Sequence, residues 1–317
     1  MERSSPTGRV GFVGLGNMGS PMARNLARGG VPLLLLDARA DRAKALADEL
    51  GARPATKLPE IAEASEIVVT MLPNGDAVRE AALGGRARPG LIEGLREGAI
   101  LVDMGSSDPR VYPEIEAAIR ARGAELVDAP VSGAVTGAKA GTLTIMAGGE
   151  AGAIDRLESL FRLVGQRLFR VGALGNGQAM KALNNLASAG ALVLTLEVLL
   201  IGQRFGLDPE LMTEILNVST GRNNSTERKI VPHVLSRRFD SGFALSLMAK
   251  DLTTALGLAE TTATPTTLAA RTLEIARAAL ATLGDGADHT ELARALEMQV
   301  GTELRSPAGA PSRRERA

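Results

Sequence analysis

Lysine is scarce in this chain, and one of its six lysines stands where proton chemistry is easiest to place. The set is Lys44, Lys57, Lys139, Lys181, Lys229 and Lys250, among basic residues that are mostly arginine. Lys181 lies in Gly175-Asn176-Gly177-Gln178-Ala179-Met180-Lys181-Ala182-Leu183-Asn184-Asn185, at the head of the most apolar run of the sequence. Asn185 follows four residues later, so on a helix both side chains share one face. Arginine keeps its charge near neutrality, whereas burial disfavours an ammonium and brings a lysine toward a pKa useful for proton exchange. Asn185 can hold the lysine or a substrate oxygen without adding charge. A lysine snorkelling at a helix edge is the competing reading. Lys250 stands beside Asp251, for which a salt-bridged surface pair is the default explanation.

Two glycine-marked turns add to the candidates. Asp128-Ala129-Pro130-Val131-Ser132-Gly133 follows a strand-like run. The Ser132 hydroxyl and the Gly133 N–H can hold a small carboxylate there, or the segment is simply a turn between strands. Gly14-Leu15-Gly16-Asn17-Met18-Gly19 fits G-x-G-x-x-G between a buried strand and a helix, with Asp37 about twenty residues on. In that context the first glycine makes the tight turn, the second admits a pyrophosphate and the third lets the helix pack close. Asp37 is placed to accept hydrogen bonds from an adenosine ribose, and its charge disfavours a 2′-phosphate, so NAD is expected over NADP. Arg39 weighs the other way. A glycine turn without a ligand and a methyltransferase loop compete with this reading.

Composition narrows the chemistry. Lys+Arg and Asp+Glu both total 36, a formal net charge of zero that calls for neither nucleic acid nor an anionic membrane surface. Without cysteine there are no disulfides, thiolate metal sites or covalent thiol chemistry. His233 and His289 alone cannot fill a histidine metal site, and no metal is expected. Tyr112 is the only tyrosine, so a Tyr-x-x-x-Lys catalytic pair cannot be built. Met1 to Arg9 is polar and unlike a secretory signal, and the apolar stretch Leu186 to Ile201 reads as too short for a bilayer. A cytoplasmic protein without a membrane partner is expected.

These residues need elements to position them. Apolar runs at 10–14, 32–37, 67–71, 100–103, 125–128 and 142–146 alternate with amphipathic spacers, which predicts βαβ units in a parallel sheet. Three of the runs end in Asp37, Asp103 and Asp128, at the strand ends where open parallel sheets bind ligands. After Gly172 the pattern is helical: one long helix over 176–205, a second capped by Asp208 with Pro209 at its first position, and further helices near 226–236, 246–260, 265–283 and 288–300. His289 reads as part of a helix start, with Asp288 or Thr290 near the cap. The expected divisions are residues 1–172, 173–304 and a frayed tail, 305–317, rich in Pro, Ser and Arg.

Taken together, four ordered blocks resemble the β-hydroxyacid dehydrogenase family, which includes 3-hydroxyisobutyrate dehydrogenase and tartronate semialdehyde reductase. They are 11–23, 128–133, 175–185 and Lys250-Asp251-Leu252. The resemblance implies an α/β protein: a Rossmann-type, doubly wound N-terminal domain and an all-α C-terminal domain, joined by a long interdomain helix. The substrate site is expected at their junction, and homodimers or homotetramers are common. It further implies Lys181 as acid/base, Asn185 as its substrate-binding companion with Asn184 beside it, and Ser132 with Gly133 as the carboxylate anchor. Leu72, Pro73 and Ser106 would line the cofactor cleft, with Lys250 near the nicotinamide. In oxidation of a small 3-hydroxy acid, hydride leaves the hydroxyl-bearing carbon for the nicotinamide while neutral Lys181 takes the hydroxyl proton. In reduction the Lys181 ammonium protonates the developing alkoxide. Ala134 departs from the second glycine that many relatives carry after Ser-Gly, and 219–225 lacks the aromatic residues typical of 3-hydroxyisobutyrate enzymes. Imine reductases share the first block without the Lys-Asn pair, and non-catalytic relatives have lost the lysine.

Overall fold

Each of the six apolar runs forms a strand in the computed structural model, which describes residues 8–85 and 88–305. Three further strands join them. In chain order they are β1 (Val10–Val13), β2 (Leu33–Leu36), β3 (Arg53–Pro54), β4 (Ile67–Thr70), β5 (Ile100–Asp103), β6 (Glu125–Asp128), β7 (Val131–Ser132), β8 (Leu143–Gly148) and β9 (Gly165–Gly172). They make one sheet in the order β3-β2-β1-β4-β5-β6-β8-β7, with β9 also pairing β8. Pairing is parallel from β3 through β6. The chain leaves β1 first toward β2 and then returns on its other side to β4. This reversal opens a crevice at the carboxyl ends of β1 and β4, beside the Gly14–Gly19 loop.

The sheet is mixed rather than wholly parallel. β8 runs antiparallel to β6 and β7, and parallel to β9. Only Ala129 and Pro130 link β6 to β7, too few residues for a crossover helix, and the chain reverses into β8 after the short Ala134–Ala140 helix. β9 was not expected because Gln166, Arg167 and Arg170 break any apolar run, and most of the strand is exposed.

Two compact units divide the chain, Met1–Lys181 and Ala182–Ala317. The division falls inside the Asn176–Phe205 helix rather than ahead of it. In the first unit, Phe12, Leu35, Val102, Leu143 and Leu160 pack in one core cluster, and Leu34, Ile61, Leu101 and Ile115 in another. The second unit is helical, built around Leu192, Leu196, Leu199, Leu252, Leu273 and Leu292. Its helices include Pro209–Val218, Leu245–Thr261, Thr267–Leu283 and Leu292–Val300. Asp208 caps the first of these with its side chain, and Asp288 forms a capping box with Glu291.

The long helix corrects one expectation. It runs 30 residues, long and apolar enough by length and composition to cross a bilayer. In this fold Leu192, Leu196 and Leu199 on it are buried inside the protein. The expectations for the first residues and for the tail fall on 1–7 and 306–317, outside the described residues.

Candidate active site

The glycines of the first loop divide their work as close packing requires. A Cβ on Gly14, at φ +95°, would stand 2.4 Å from the Met71 carbonyl oxygen, and one on Gly19 would stand 1.9 Å from that of Gly14. Both positions therefore exclude any side chain. A Cβ on Gly16 would meet nothing within 4 Å, so this glycine leaves its space to something outside the loop. The Gly19–Arg28 helix starts here with no side-chain cap hydrogen bond from Met18 and no acid in its first turn. Bare backbone at a helix N-terminus suits a pyrophosphate. Asn17 is exposed and Met18 partly so.

Asp37 stands just past β2 and is held from within. Its Oδ2 accepts the Leu15 N–H at 2.6 Å and its Oδ1 accepts the Arg39 N–H at 2.9 Å. Arg42 lies 3.6 Å from Oδ2. The carboxylate thus ties the glycine loop to the second strand end as well as presenting charge there. Arg39 turns its guanidinium to Asp41 at 2.8 Å.

Loops after β1, β4 and β5 meet at the crevice. The Leu72 side chain lies 3.1 Å from the position of a Gly14 Cβ, and the Leu72 carbonyl 2.6 Å from that of a Gly105 Cβ. Pro73 is exposed, and Ser106 is partly buried between Gly105 and Ser107. The leucine and the two loop residues Pro73 and Ser106 therefore stand at the carboxyl ends of β4 and β5.

The acids ending β5 and β6 are not presented to a ligand. Asp103 and Asp128 are both buried. Asp103 accepts from the Thr70, Ser107 and Tyr112 hydroxyls and from the Gly105 N–H. Burial raises its pKa from the ordinary value, and these donors pull against that rise. Asp128 accepts the N–H groups of Gly175 and Gln178, each at 2.7 Å. Burial pushes it up to about 7, again opposed by the donors. Asp128 thereby caps the Lys181 helix from the strand that leads into the Ser132-Gly133 turn.

In that turn Ser132 ends β7, partly buried, and Gly133 is exposed at φ +138°, a conformation that favours glycine. Ala134 adopts φ +54°, the left-handed region in which a Cβ is costly. A second glycine would hold the same turn without that cost.

Lys181 and Asn185 sit one turn apart on the Asn176–Phe205 helix, both partly buried. In the helical unit, Asn185 Nδ2 donates to Asp251 Oδ2 at 2.5 Å, and Asn184 Nδ2 donates to Asn185 Oδ1 at 3.1 Å. Lys250 Nζ lies 3.1 Å from Asp251 Oδ1. Asp251 is buried, so this is not a surface pair; the aspartate orients Asn185 and Lys250 together. Neither Asp251 nor Gln178 receives a role from the sequence, although both lie inside blocks that carry the resemblance. Lys229 also goes unassigned there: burial lowers its ammonium to about 8, and its Nζ donates to Ser188 at 3.0 Å. Ser188, three residues past Asn185, belongs to the same helix face.

Comparison with known proteins places the chain in a family. Residues 9–172 match the profile of the NAD-binding domain of 6-phosphogluconate dehydrogenase, and residues 175–296 match the NAD-binding profile of NADP-dependent 3-hydroxyisobutyrate dehydrogenase. Mitochondrial 3-hydroxyisobutyrate dehydrogenase of Mus musculus is 38% identical over 274 residues, covering 84% of this chain and 81% of the relative. The 2-(hydroxymethyl)glutarate dehydrogenase of Eubacterium barkeri is 36% identical over 256 residues, covering 81% of this chain and 83% of the relative. The solved Mycobacterium tuberculosis 3-hydroxyisobutyrate dehydrogenase with L-serine superposes with a TM-score of 0.82 at 27% identity, covering 91% of this chain and 99% of that one. The chain belongs to the β-hydroxyacid dehydrogenase family and, with it, to the NAD(P)-dependent oxidoreductases.

Proposed function

We propose that this chain interconverts a small 3-hydroxy acid and the matching semialdehyde, with Lys181 as acid/base and Ser132-Gly133 as the carboxylate anchor. The observation that carries this reading is the shared mooring of its parts. The turn that starts the Lys181 helix is capped by Asp128, whose strand runs on to Ser132. A nicotinamide dinucleotide held by the Gly14–Gly19 loop and Asp37 would supply the hydride acceptor for the alcohol carbon, or the donor for the aldehyde. Lys181 takes the hydroxyl proton as the C–H bond breaks, and as an ammonium gives it back in reduction. Asn185 gives one amide hydrogen to Asp251, which leaves its second N–H to hold the substrate oxygen. Ser132 O–H and Gly133 N–H hold the carboxylate and so fix which carbon faces the hydride acceptor.

The named substrates of the relatives support an alcohol of this kind, 3-hydroxyisobutyrate in one and 2-(hydroxymethyl)glutarate in the other. Nicotinamide absorbance with a panel of 3-hydroxy acids and their neutral methyl esters tests the reading. Turnover of the acids and poor turnover of the esters is expected; equal rates on both would contradict a carboxylate anchor.

NAD is the preferred dinucleotide in this proposal, because the Asp37 carboxylate repels a 2′-phosphate. Asp37→Asn keeps an oxygen for the Leu15 N–H while removing the charge, so the ratio of kcat/KM for NAD over NADP is expected to fall without loss of folding. A parent enzyme with higher kcat/KM for NADP overturns the preference.

A homodimer or homotetramer completes the proposal. Leu194, Ile201 and Phe205, at 62%, 70% and 84% exposure, recur at helical spacing and form one apolar stripe on the long helix. A second copy covering the stripe removes that surface from water. Light scattering is expected to give a multiple of the chain mass, reduced by Ile201→Asp with Phe205→Asp. A monomeric parent would sink the idea.

A further inference from the structure

Gln178 is buried, and both ends of its side-chain amide are in use. The Ser107 N–H donates to Oε1 at 2.9 Å, and Nε2 donates to the Gly105 carbonyl at 3.0 Å. Those partners flank Ser106, so one amide clasps the backbone on either side of it. The backbone N–H of Gln178 in turn donates to Asp128, which suspends the same helical turn from the end of β6. From the far side the loop is held by Asp103, which accepts from Gly105, Ser107 and Tyr112. The turn is seated without slack: a Cβ on Gly177 would stand 2.3 Å from the Met146 carbonyl and 2.6 Å from Asp128 Oδ2.

Lys181 is three residues beyond Gln178, about 4.5 Å along the helix axis and on the same face. Whatever displaces the first turn displaces the lysine with it. We propose that Gln178 is a positioning residue for the dehydrogenase reaction: its amide sets the separation between the Gly105–Ser107 loop and the helical turn that presents Lys181. This rests on the acid/base role given to Lys181 above. Packing alone does not account for a glutamine here. An apolar residue of similar size would occupy the space but leave the Ser107 N–H and Gly105 carbonyl without these partners. The loop and the helix would then be free to drift apart, and a misplacement of about 1 Å costs on the order of 10²-fold in rate.

Gln178→Leu and Gln178→Glu in the full chain test the clasp. With cofactor and a 3-hydroxy acid saturating, Gln178→Leu is expected to lower kcat roughly 10- to 100-fold. NADH affinity, followed by its own fluorescence, is expected to fall much less than kcat, because the Gly14–Gly19 loop is a separate element and only Ser106 of the proposed cleft lies in the clasped loop. A protonated glutamic acid presents an O–H and a carbonyl where glutamine presents an N–H and a carbonyl. The kcat of Gln178→Glu relative to the parent at the same pH therefore rises as pH falls, while that of Gln178→Leu stays flat. Asp128, Asp103 and Tyr112 are ionisable groups around this network, and Lys181 lies one turn away; ionised carboxylates favour the protonated glutamic acid, and the Lys181 ammonium opposes them.

Parental kcat in Gln178→Leu overturns the proposal, as does a loss in both variants that only tracks the unfolded fraction. A Glu-to-parent ratio unresponsive to pH also overturns it, and it decides alone if Gln178→Leu does not fold. Should the parent turn over no 3-hydroxy acid, the functional reading fails separately. Amide exchange then decides the clasp: faster exchange at Ser107 in Gln178→Leu, which lacks the acceptor, supports it, and unchanged exchange there overturns it.

Discussion

Lys181→Arg is expected to lower kcat by about 10²–10⁴-fold, almost as far as Lys181→Ala, because positioned proton transfer is worth that much and a guanidinium cannot perform it near neutral pH. Retained charge is the point of the arginine. If the lysine served only as a fixed cation near a developing alkoxide, Arg would rescue much of the rate that Ala loses. The structure makes the comparison clean. Lys181 is partly buried on a helix whose start is held by Asp128 and Gln178, and both substitutions leave those two moorings in place. With the Gly14–Gly19 loop proposed as the pyrophosphate site, dinucleotide affinity is expected to stay near parental in both variants. Single-turnover rates with NAD saturating separate the chemical step from release. Near-parental kcat in Lys181→Arg would falsify proton exchange by this residue and leave it an electrostatic anchor.

What could be read from residues alone depended on whether a residue's work is local. The long helix, the Asp208 cap and the Gly14–Gly19 turn follow from periodicity and backbone chemistry within a few positions, and the structure has each of them. Likewise six strands announced themselves as apolar runs. β9 did not, since an exposed edge strand carries arginines and has no buried face to advertise. The reversal of β8 was equally silent, because parallel and antiparallel partners read alike along one strand. At the site, Lys181 and Asn185 share a helix and were visible as a pair. Asp251 orients Asn185 from 66 positions away, and Gln178 reaches the Ser107 backbone across 71. No spacing rule reaches that far. Asp103 and Asp128 show the opposite hazard: as acids at strand ends they suggest ligand contacts, yet burial and internal donors commit them to the scaffold.

Asp128 makes that scaffold role measurable as a pH dependence of stability. Its folded-state pKa is raised from an ordinary 3.8 to about 7 by burial, which two amide donors only partly offset. Below about pH 4 the group is protonated folded or unfolded, and burying it carries no charge penalty. Between these pKa values the folded protein holds a proton that the unfolded chain has released. Its contribution is therefore lost as pH rises, until both states are ionised above about 7. A shift of this size corresponds to a change on the order of 4 kcal/mol across the window. Asp103, also raised, adds to the same trend, while Asp108 and Asp288 are lowered and act in the opposite direction at acid pH. Subtraction isolates Asp128. In Asp128→Asn one of the two N–H groups faces an amide NH2 instead of an oxygen, a cost that is the same at every pH and so drops out of the change with pH. Toward pH 8 it lacks the buried charge, and the difference in unfolding free energy is expected to shift in its favour. Denaturant titrations of both proteins at intervals from pH 4 to pH 8 measure that difference. Parallel curves across the window would mean that Asp128 stays ionised throughout and that its two amide donors, rather than burial, decide its charge.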